Sequence, residues 1–294
     1  AGKVQEIFTN LEADLYALQE IEDTTLLKQV VSNIPGYDCY FRSSYYGGLA
    51  YVYNTNTIQV NSKYEIFTSQ PYWNAFPRSP QVLDCNFMGT NYIVINNHFK
   101  CCGDGILNTN NTNDEENRRL QAITYLKQYI DNTFLGKRVI LLGDLNDELI
   151  DNTANNVFQD FINDNTNYLF ADMQIAQGNS IDWSYPTWPS HLDHVLITNE
   201  LFADFQNFNS LVSVIRIDDY MGSWSNYENN ISDHRPIGLK LDFGSVSYTP
   251  EEIGIENRVF KVLDILGRSV IPRSNMLLLY MYDDGTVEKR MILE

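Results

Sequence analysis

The segment "KRVILLGDLND" (137–147) runs the apolar residues Val139–Leu142 straight into Gly143, Asp144, Leu145, Asn146 and Asp147. A buried strand that ends in two carboxylates and a carboxamide has two readings. Gly, Asn and Asp are what turns need, and ligands collect where buried strands end in α/β sheets. The pattern recurs along the chain. "IVINNHFK" closes on His98, "SHLDHVLIT" carries Asp193 and His194, and "NISDHRPIG" sets Asp233, His234 and Arg235 beside a final strand. "LYALQE" ends on Glu20, and "FPRSPQ" places Arg78 in a proline-flanked loop. The chain has only four histidines, His98, His191, His194 and His234, and all sit at strand ends or in loops beside polar residues. Charged residues such as Asp193 and His194 inside a strand need partners if they are buried.

The rest of the sequence mixes strands and helices without strict βαβ alternation. Residues 1–23 read as a helix-period segment, with Ile7, Leu11, Leu15 and Leu18 on one face. "GGLAYVYNTNTIQVNSKYEIFT" (47–68) and "QVLDCNFMGTNYIVINNHFK" (81–100) each read as a hairpin, the second turning at Met88–Asn91. Residues 118–134 and 151–170 read as helices, and "LDHVLIT" and "RPIGLKLDF" as strands. The fold class is therefore α/β or α+β, antiparallel-rich sheets covered by helices. After Phe243 the composition changes. Residues 244–257 read as a linker, and 258–294 as short strands with a hairpin turn at "DDG" (283–285). Residues 1–244 carry 14 basic and 30 acidic residues and residues 245–294 carry 6 and 8, so the acidity belongs to the first region.

The formal charge of −18 argues against unaided binding to a polyanion, which rests on Lys and Arg. It leaves room for an enzyme that meets phosphate through bound divalent cations. No apolar run reaches the length of a membrane span, so stable membrane insertion is not expected. The sequence given opens at Ala1 on a helix-period segment and reads without a signal peptide, with a removed export signal and a true N-terminus further upstream both left open. The four cysteines, Cys39, Cys85, Cys101 and Cys102, fit no zinc spacing and leave four thiols or up to two disulfides open.

In order, "LQE", "R-x-P", "NNHFK", "GDLND", "LDHVLIT" and "SDHRP" resemble the endonuclease/exonuclease/phosphatase superfamily, the DNase I-like metal-dependent phosphoesterases. The resemblance covers residues 1 to 243. It implies a four-layer sandwich of two mixed β-sheets flanked by helices. It implies that Glu20 is the principal ligand of Mg²⁺, with Mn²⁺ or Ca²⁺ as substitutes, and that Asp233 is a further carboxylate on the metal side. Asp144 would orient or deprotonate the attacking water, and Asn146 would hold the phosphate or the water. His234, paired with Asp193, would touch the scissile phosphate, with His98 close by and Arg78 contacting a substrate phosphate. Two departures stand out. The family opens with a strand carrying a site Asn, and this sequence reads as starting after it. The DNase branch also supports its first histidine with a Glu, where this chain reads "SYYGGLAYVY". The tail resembles the C-terminal sorting domain of type IX secretion, carried by "VFKVLDILGRSV" and "YMYDDGTVEKRMILE".

The resemblance implies a secreted or surface-attached phosphodiesterase, a monomer acting on DNA or RNA, whose tail engages secretion machinery. The aromatic loop "DWSYPTWPSHLDH" (182–194) either stacks on bases or forms the edge of a lid. A second reading is a sphingomyelinase-like phospholipid phosphodiesterase or a phosphatase, with Trp73, Trp183, Trp188 and Trp224 as membrane-facing candidates. A third is an inactive surface-binding homologue. The absent first strand favours it, and the intact set Glu20, His98, Asp144, Asn146, Asp193, Asp233 and His234 speaks against it.

Overall fold

A computed structural model describes residues 1–41 and 48–243 and the strands 259–264, 277–282 and 287–291. The chain divides into two compact units, Ala1–Asp242 and Phe243–Glu294. In the first unit the strands are β1 (Leu15–Ile21), β2 (Tyr37–Phe41), β3 (Gly48–Asn54), β4 (Ile58–Glu65), β5 (Gln81–Phe87), β6 (Thr90–His98), β7 (Arg138–Asp144), β8 (Tyr168–Phe170), β9 (Asp193–Thr198), β10 (Leu211–Val214) and β11 (Ile237–Lys240). The main helices are α1 (Gly2–Leu11), α2 (Thr24–Ser32) and α3 (Glu115–Thr133). A six-stranded sheet runs β4-β5-β6-β7-β9-β8, beside a three-stranded sheet β1-β3-β2 and the pair β10-β11.

Alternation along the central strands builds the layers. Ile93, Ile95, Val139 and Leu141 face one way and pack with Ala122, Ile123, Leu126 and Ile130 of α3. Tyr92, Val94, Val195 and Ile197 face the other way. They meet Tyr51 and Tyr53 of β3, with Leu15 and Ala17 of β1 and Ile237 and Leu239 of β11 beside them. On the outer face of the small sheet, Ala50 and Val52 pack under Phe8 of α1 and Leu27, Val30 and Val31 of α2. The result is the expected sandwich: helix, sheet, sheet, helix. Its second sheet layer is built from two pieces, because β1 and β11 are not paired with each other. The second unit is a three-stranded antiparallel sheet of β12 (Val259–Asp264), β13 (Leu277–Tyr282) and β14 (Val287–Met291). The linker 244–257 and the "DDG" turn lie outside the described residues.

Three local expectations are corrected. The first helix stops at Leu11, where Glu12 caps it in the left-handed region at φ 49°. Leu15 and Leu18 belong to β1 instead, because pairing with β3 outweighs a helical period that long leucines satisfy by coincidence. The segment 47–68 is not a hairpin. β3 pairs with β1 and β2 and β4 pairs with β5, so the Asn54–Thr57 turn carries the chain from one layer to the other. Residues 151–170 hold only a short helix, Gln159–Ile162, before β8. Here Asn156 bonds to the Leu149 carbonyl and the Phe158 amide, each 2.8 Å away. Such side-chain bonds offer the backbone an alternative to the helix. The hairpin of β5 and β6 forms as expected, turning on Met88 and Gly89 at φ 50° and 80°; two central residues with positive φ suit the strand twist.

Site geometry comes from the register. β6 and β7 run parallel with His98 opposite Asp144, and β7 and β9 run antiparallel with Asp144 opposite Asp193. Gly143 makes that close approach possible. It stands at φ 129°, and a β-carbon there would overlap the backbone carbonyl of Asn97. Gly143→Ala is therefore expected to cost roughly 1–3 kcal/mol or more, from strain in a sparsely populated conformation. Urea denaturation checks this, and an unchanged midpoint would contradict it.

Candidate active site

Three neighbouring strand ends bring His98, Asp144 and Asp193 side by side. The loop before β11 adds His234. Its Nδ1 lies 2.7 Å from Asp193 Oδ2, and its backbone carbonyl accepts the Tyr227 hydroxyl at 2.7 Å. His98 Nε2 lies 3.3 Å from Asp144 Oδ2 and 3.9 Å from Glu20 Oε1. The other oxygen of Asp144 accepts the Asn146 amide at 3.0 Å, with Asn146 held in the left-handed region at φ 55°. Glu20 reaches this edge through a bulge. The register of β1 on β3 slips between Leu18 and Ile21, and Glu20 takes φ 57°. Bulges next to active sites re-aim a side chain in this way. Buried Asn96 of β6 fixes the bulge, bonding to the Leu18 carbonyl at 3.0 Å and accepting from Gln19 at 2.7 Å.

The sequence-predicted residues thus come together around one spot, with differing exposure. Asp144 and His98 are buried, while the Glu20 side chain is 66% exposed. Asp233 is exposed beside His234 and adds to the negative charge around that ring. Arg78 is half-buried, close enough for its charge to act on His98. In the 182–194 loop, the Tyr185 ring lies 4.8 Å from that of His234.

Burial and charge crowding together set the protonation states. Burial pushes the Asp144 carboxyl up to about 7, and the neighbouring Asp193 and Glu20 carboxylates add to it, while His234 and the Asn146 amide pull it down. Burial lowers His98 to about 3, helped by the charges of Arg78 and His234, so the ring is neutral. For His234 burial again opposes the charged form. The Asp193 carboxylate overcomes it by charge and hydrogen bond, with Asp144 and Asp233 behind it, and raises the ring to about 10. Asp193 is correspondingly lowered against its own burial by His234 and by a hydrogen bond from Ser184.

A hard divalent cation fits this donor set. Asp144, Asp193 and His234 bring ligand-type atoms within 4.8 Å of one another, but the His234 ring, kept cationic by Asp193, has no lone pair to give; the oxygens open to a cation are those of Asp144 and of exposed Glu20 and Asp233. Mg²⁺ prefers such oxygens and keeps several waters. Burial, with the Asp193 and Glu20 carboxylates behind it, disfavours the ionised form of Asp144, and a bound cation would favour that form.

A second layer of contacts carries residues that sequence reasoning missed. Fully buried Asp172 accepts His194 Nδ1 at 2.6 Å, His191 Nε2 at 3.0 Å and the Val195 amide at 2.9 Å. Burial raises its carboxyl, but the two histidines outweigh that and hold it well below the usual range. His194 Nε2 meets the Asp147 carbonyl at 2.8 Å. Both partners of the His194 ring are acceptors, so the ring carries both protons. The Asp147 carboxylate in turn binds the Arg119 Nε at 2.8 Å. Asp172, His191 and His194 also have the geometry of a ligand cluster, but Asp172 and His194 are already occupied by one another and by backbone. In the sequence, a histidine pair around Asp193 is the trace of this network; nothing marks Asp172.

The fold agrees with what comparison shows. The Endonuclease/Exonuclease/phosphatase family model matches residues 1–234, and the chain belongs to that family of hydrolases. No curated protein sequence matches it. Among solved structures it is similar to D. rerio TDP2 complexed with a single-strand DNA product, at 13% identity and TM-score 0.57, covering 82% of this chain and 90% of that one. It is also similar to the Neisseria 3′ phosphatase NExo bound to a product DNA hairpin, at 14% identity and TM-score 0.58, covering 82% and 94%. A Bacteroides thetaiotaomicron mannosyl-6-phosphatase matches at 14% identity and TM-score 0.53, covering 82% and 90%. At these identities the likeness is one of fold.

Because the folded protein holds the His234 proton more tightly than the unfolded chain does, the Asp193–His234 pair stabilises the fold fully below pH 6.5. That contribution is lost as pH rises through about 10. Asp193→Asn should bring the His234 titration down toward its ordinary value of 6.5 or below, since burial then acts with less opposition. NMR of the ring resonances checks this. A ring that stays protonated well above neutrality in the variant would show that other groups hold the proton.

Proposed function

We propose that this chain is a metal-dependent phosphodiesterase that hydrolyses nucleic acid by in-line attack of water. The observation that carries the reading is the pairing of roles at one spot. A carboxylate raised to about 7 (Asp144) stands beside a histidine held cationic up to about 10 (His234). A general base works best with a pKa near the operating pH. Asp144 accepts the proton of the attacking water, and Asn146 helps to orient the water or the phosphate. His234, fixed by Asp193, donates a hydrogen bond to the phosphoryl oxygen where charge develops, which stabilises the transition state more than the ground state. Neutral His98 supports Asp144 through its Nε2, and Arg78 offers a planar guanidinium to a substrate phosphate. Glu20 and Asp233 would hold Mg²⁺ (or Mn²⁺ or Ca²⁺), which when bound neutralises phosphate charge and acidifies water.

Nucleic acid is favoured as substrate by an exposed aromatic beside the site loop. Trp188 is 78% exposed in the 182–194 segment, where a base can stack on it. Two fold neighbours hold DNA products. Among the described residues no helix is long and apolar enough to cross a membrane. The second unit we read as an export module that takes no part in hydrolysis.

The test is hydrolysis of supercoiled plasmid, single-stranded RNA and sphingomyelin, side by side, with Mg²⁺ and then with chelator. Nucleic acid should be cut, chelator should stop it, and Asp144→Ala or His234→Ala should lose at least ~10²-fold. Cleavage of sphingomyelin alone would move the substrate to phospholipid, and hydrolysis that survives both substitutions would sink the assignment of roles. A chain truncated after Phe243 should keep its activity; loss of hydrolysis in a folded truncated chain would give the tail a catalytic part.

A further inference from the structure

Cys101 and Cys102 are consecutive and exposed, with their sulfur atoms 3.0 Å apart. Cys39 on β2 and Cys85 on β5 lie in separate sheets, so this is the one juxtaposed thiol pair among the described residues. The pair sits on the loop that leaves β6 just beyond His98. The Lys100 ammonium lies 3.7 Å from Cys101 Sγ and puts a positive charge beside the sulfur. Cys102 stands in the left-handed region at φ 70°, and Gly103 follows at φ 114° against the Glu116 carboxylate.

The loop is wired to the active site through one buried side chain. Arg119 Nη1 donates to the carbonyls of Lys100 at 2.8 Å and Cys102 at 2.7 Å. Its Nε binds Asp147 Oδ2 at 2.8 Å, and its Nη2 pairs with Glu116 Oε1 at 3.2 Å. The same guanidinium therefore fixes the Cys102 backbone and the Asp144–Asp147 segment.

We propose that Cys101–Cys102 is a modification site, closed by low-molecular-weight disulfides into a reversible vicinal disulfide that slackens the neighbouring active site. The effect on hydrolysis rests on the function proposed above; the closure does not. One cysteine thiolate attacks the small disulfide and expels one thiolate. The second cysteine then attacks the protein sulfur of the mixed disulfide and expels the other. The two protein thiols lose two electrons and two protons, and the small disulfide becomes two thiols. The bond so formed is strained. Disulfides usually span about 4.4–6.8 Å between α-carbons, whereas consecutive α-carbons lie about 3.8 Å apart across a trans peptide. Strained disulfides are the readily reduced, regulatory ones. Closing the eight-membered ring turns the Cys101–Cys102 peptide, whose Cys101 carbonyl accepts from Lys100 Nζ at 2.8 Å, and shifts the α-carbon of Cys102; the next peptide, whose Cys102 carbonyl Arg119 holds, is displaced with it, which loosens the hold on Asp147.

The full chain is treated with glutathione disulfide and followed by intact and peptide mass, by amide hydrogen exchange, and by the hydrolysis assay. The expected product has lost the mass of two hydrogens in the peptide holding both cysteines, retains no glutathione, and returns to the starting mass with dithiothreitol. Exchange over residues 98–103 and 144–147 should rise on closure, and hydrolysis should fall several-fold and recover on reduction. Cys101→Ser should instead accumulate a stable mixed disulfide, and the Cys101→Ser/Cys102→Ser double variant should ignore the oxidant. Two glutathione adducts, or two untouched thiols, would overturn the closure. Closure with unchanged exchange at 144–147 would overturn the coupling, and that readout stands even if the chain hydrolyses none of the substrates offered.

Discussion

Charge can be buried at the end of a sheet only when each charged group finds a partner, and that constraint organises this molecule. Three paired strands end in His98, Asp144 and Asp193 at matching registers. Two carboxylates from adjacent strands would repel each other there. The structure answers with one cation, His234, bound to Asp193, and leaves Asp144 without a full counter-charge. In the proposed mechanism this imbalance divides the work: one carboxylate stays ionised and positions a cation, while its buried neighbour is raised to about 7. Two like groups acquire different work from their surroundings.

Holding this arrangement takes a second set of charges further in. His194 lies between Asp172 and the Asp147 carbonyl, and Arg119 lies between Asp147 and the loop beyond His98. Removing one member would leave an uncompensated buried charge, which is strongly destabilising. The frame is therefore rigid around Asp144 and Asn146, as a site needs if it is to bind a developing charge without reorganising. Glu20 is held differently. Its strand bulges, and Asn96 of the facing sheet locks the bulge, so an exposed carboxylate is presented from an ordered backbone.

Much of this was legible in the sequence because the chemistry is written at strand ends. "GDLND" and "NNHFK" each announce an apolar strand running into polar groups, "SDHRP" announces polar groups leading into one, and the structure gathers them. The α/β sandwich, the β5–β6 hairpin and helix α3 follow from period and turn chemistry. What failed was decided by distant partners. Leu15 and Leu18 read as helix until β3 claims them as strand. The Asn54–Thr57 turn looks like a hairpin turn because nothing local says that its two strands join different sheets. Asn156 keeps 151–158 out of helix through its side-chain bonds, which composition does not predict. Asp172 and Arg119 carry no sequence pattern of their own, and their roles, like the bond of Asp147 to Arg119, exist only in the folded network.

The central claim is that burial, reinforced by the neighbouring carboxylates, raises Asp144 to the working range of a general base. The direct measurement is the carboxyl titration of Asp144 by ¹³C NMR in the metal-free protein, followed by addition of Mg²⁺. The account predicts a midpoint near 7 that falls when the cation binds. A midpoint at the ordinary 3.8, unmoved by Mg²⁺, would contradict it and leave the strand-end carboxylates as a structural cluster.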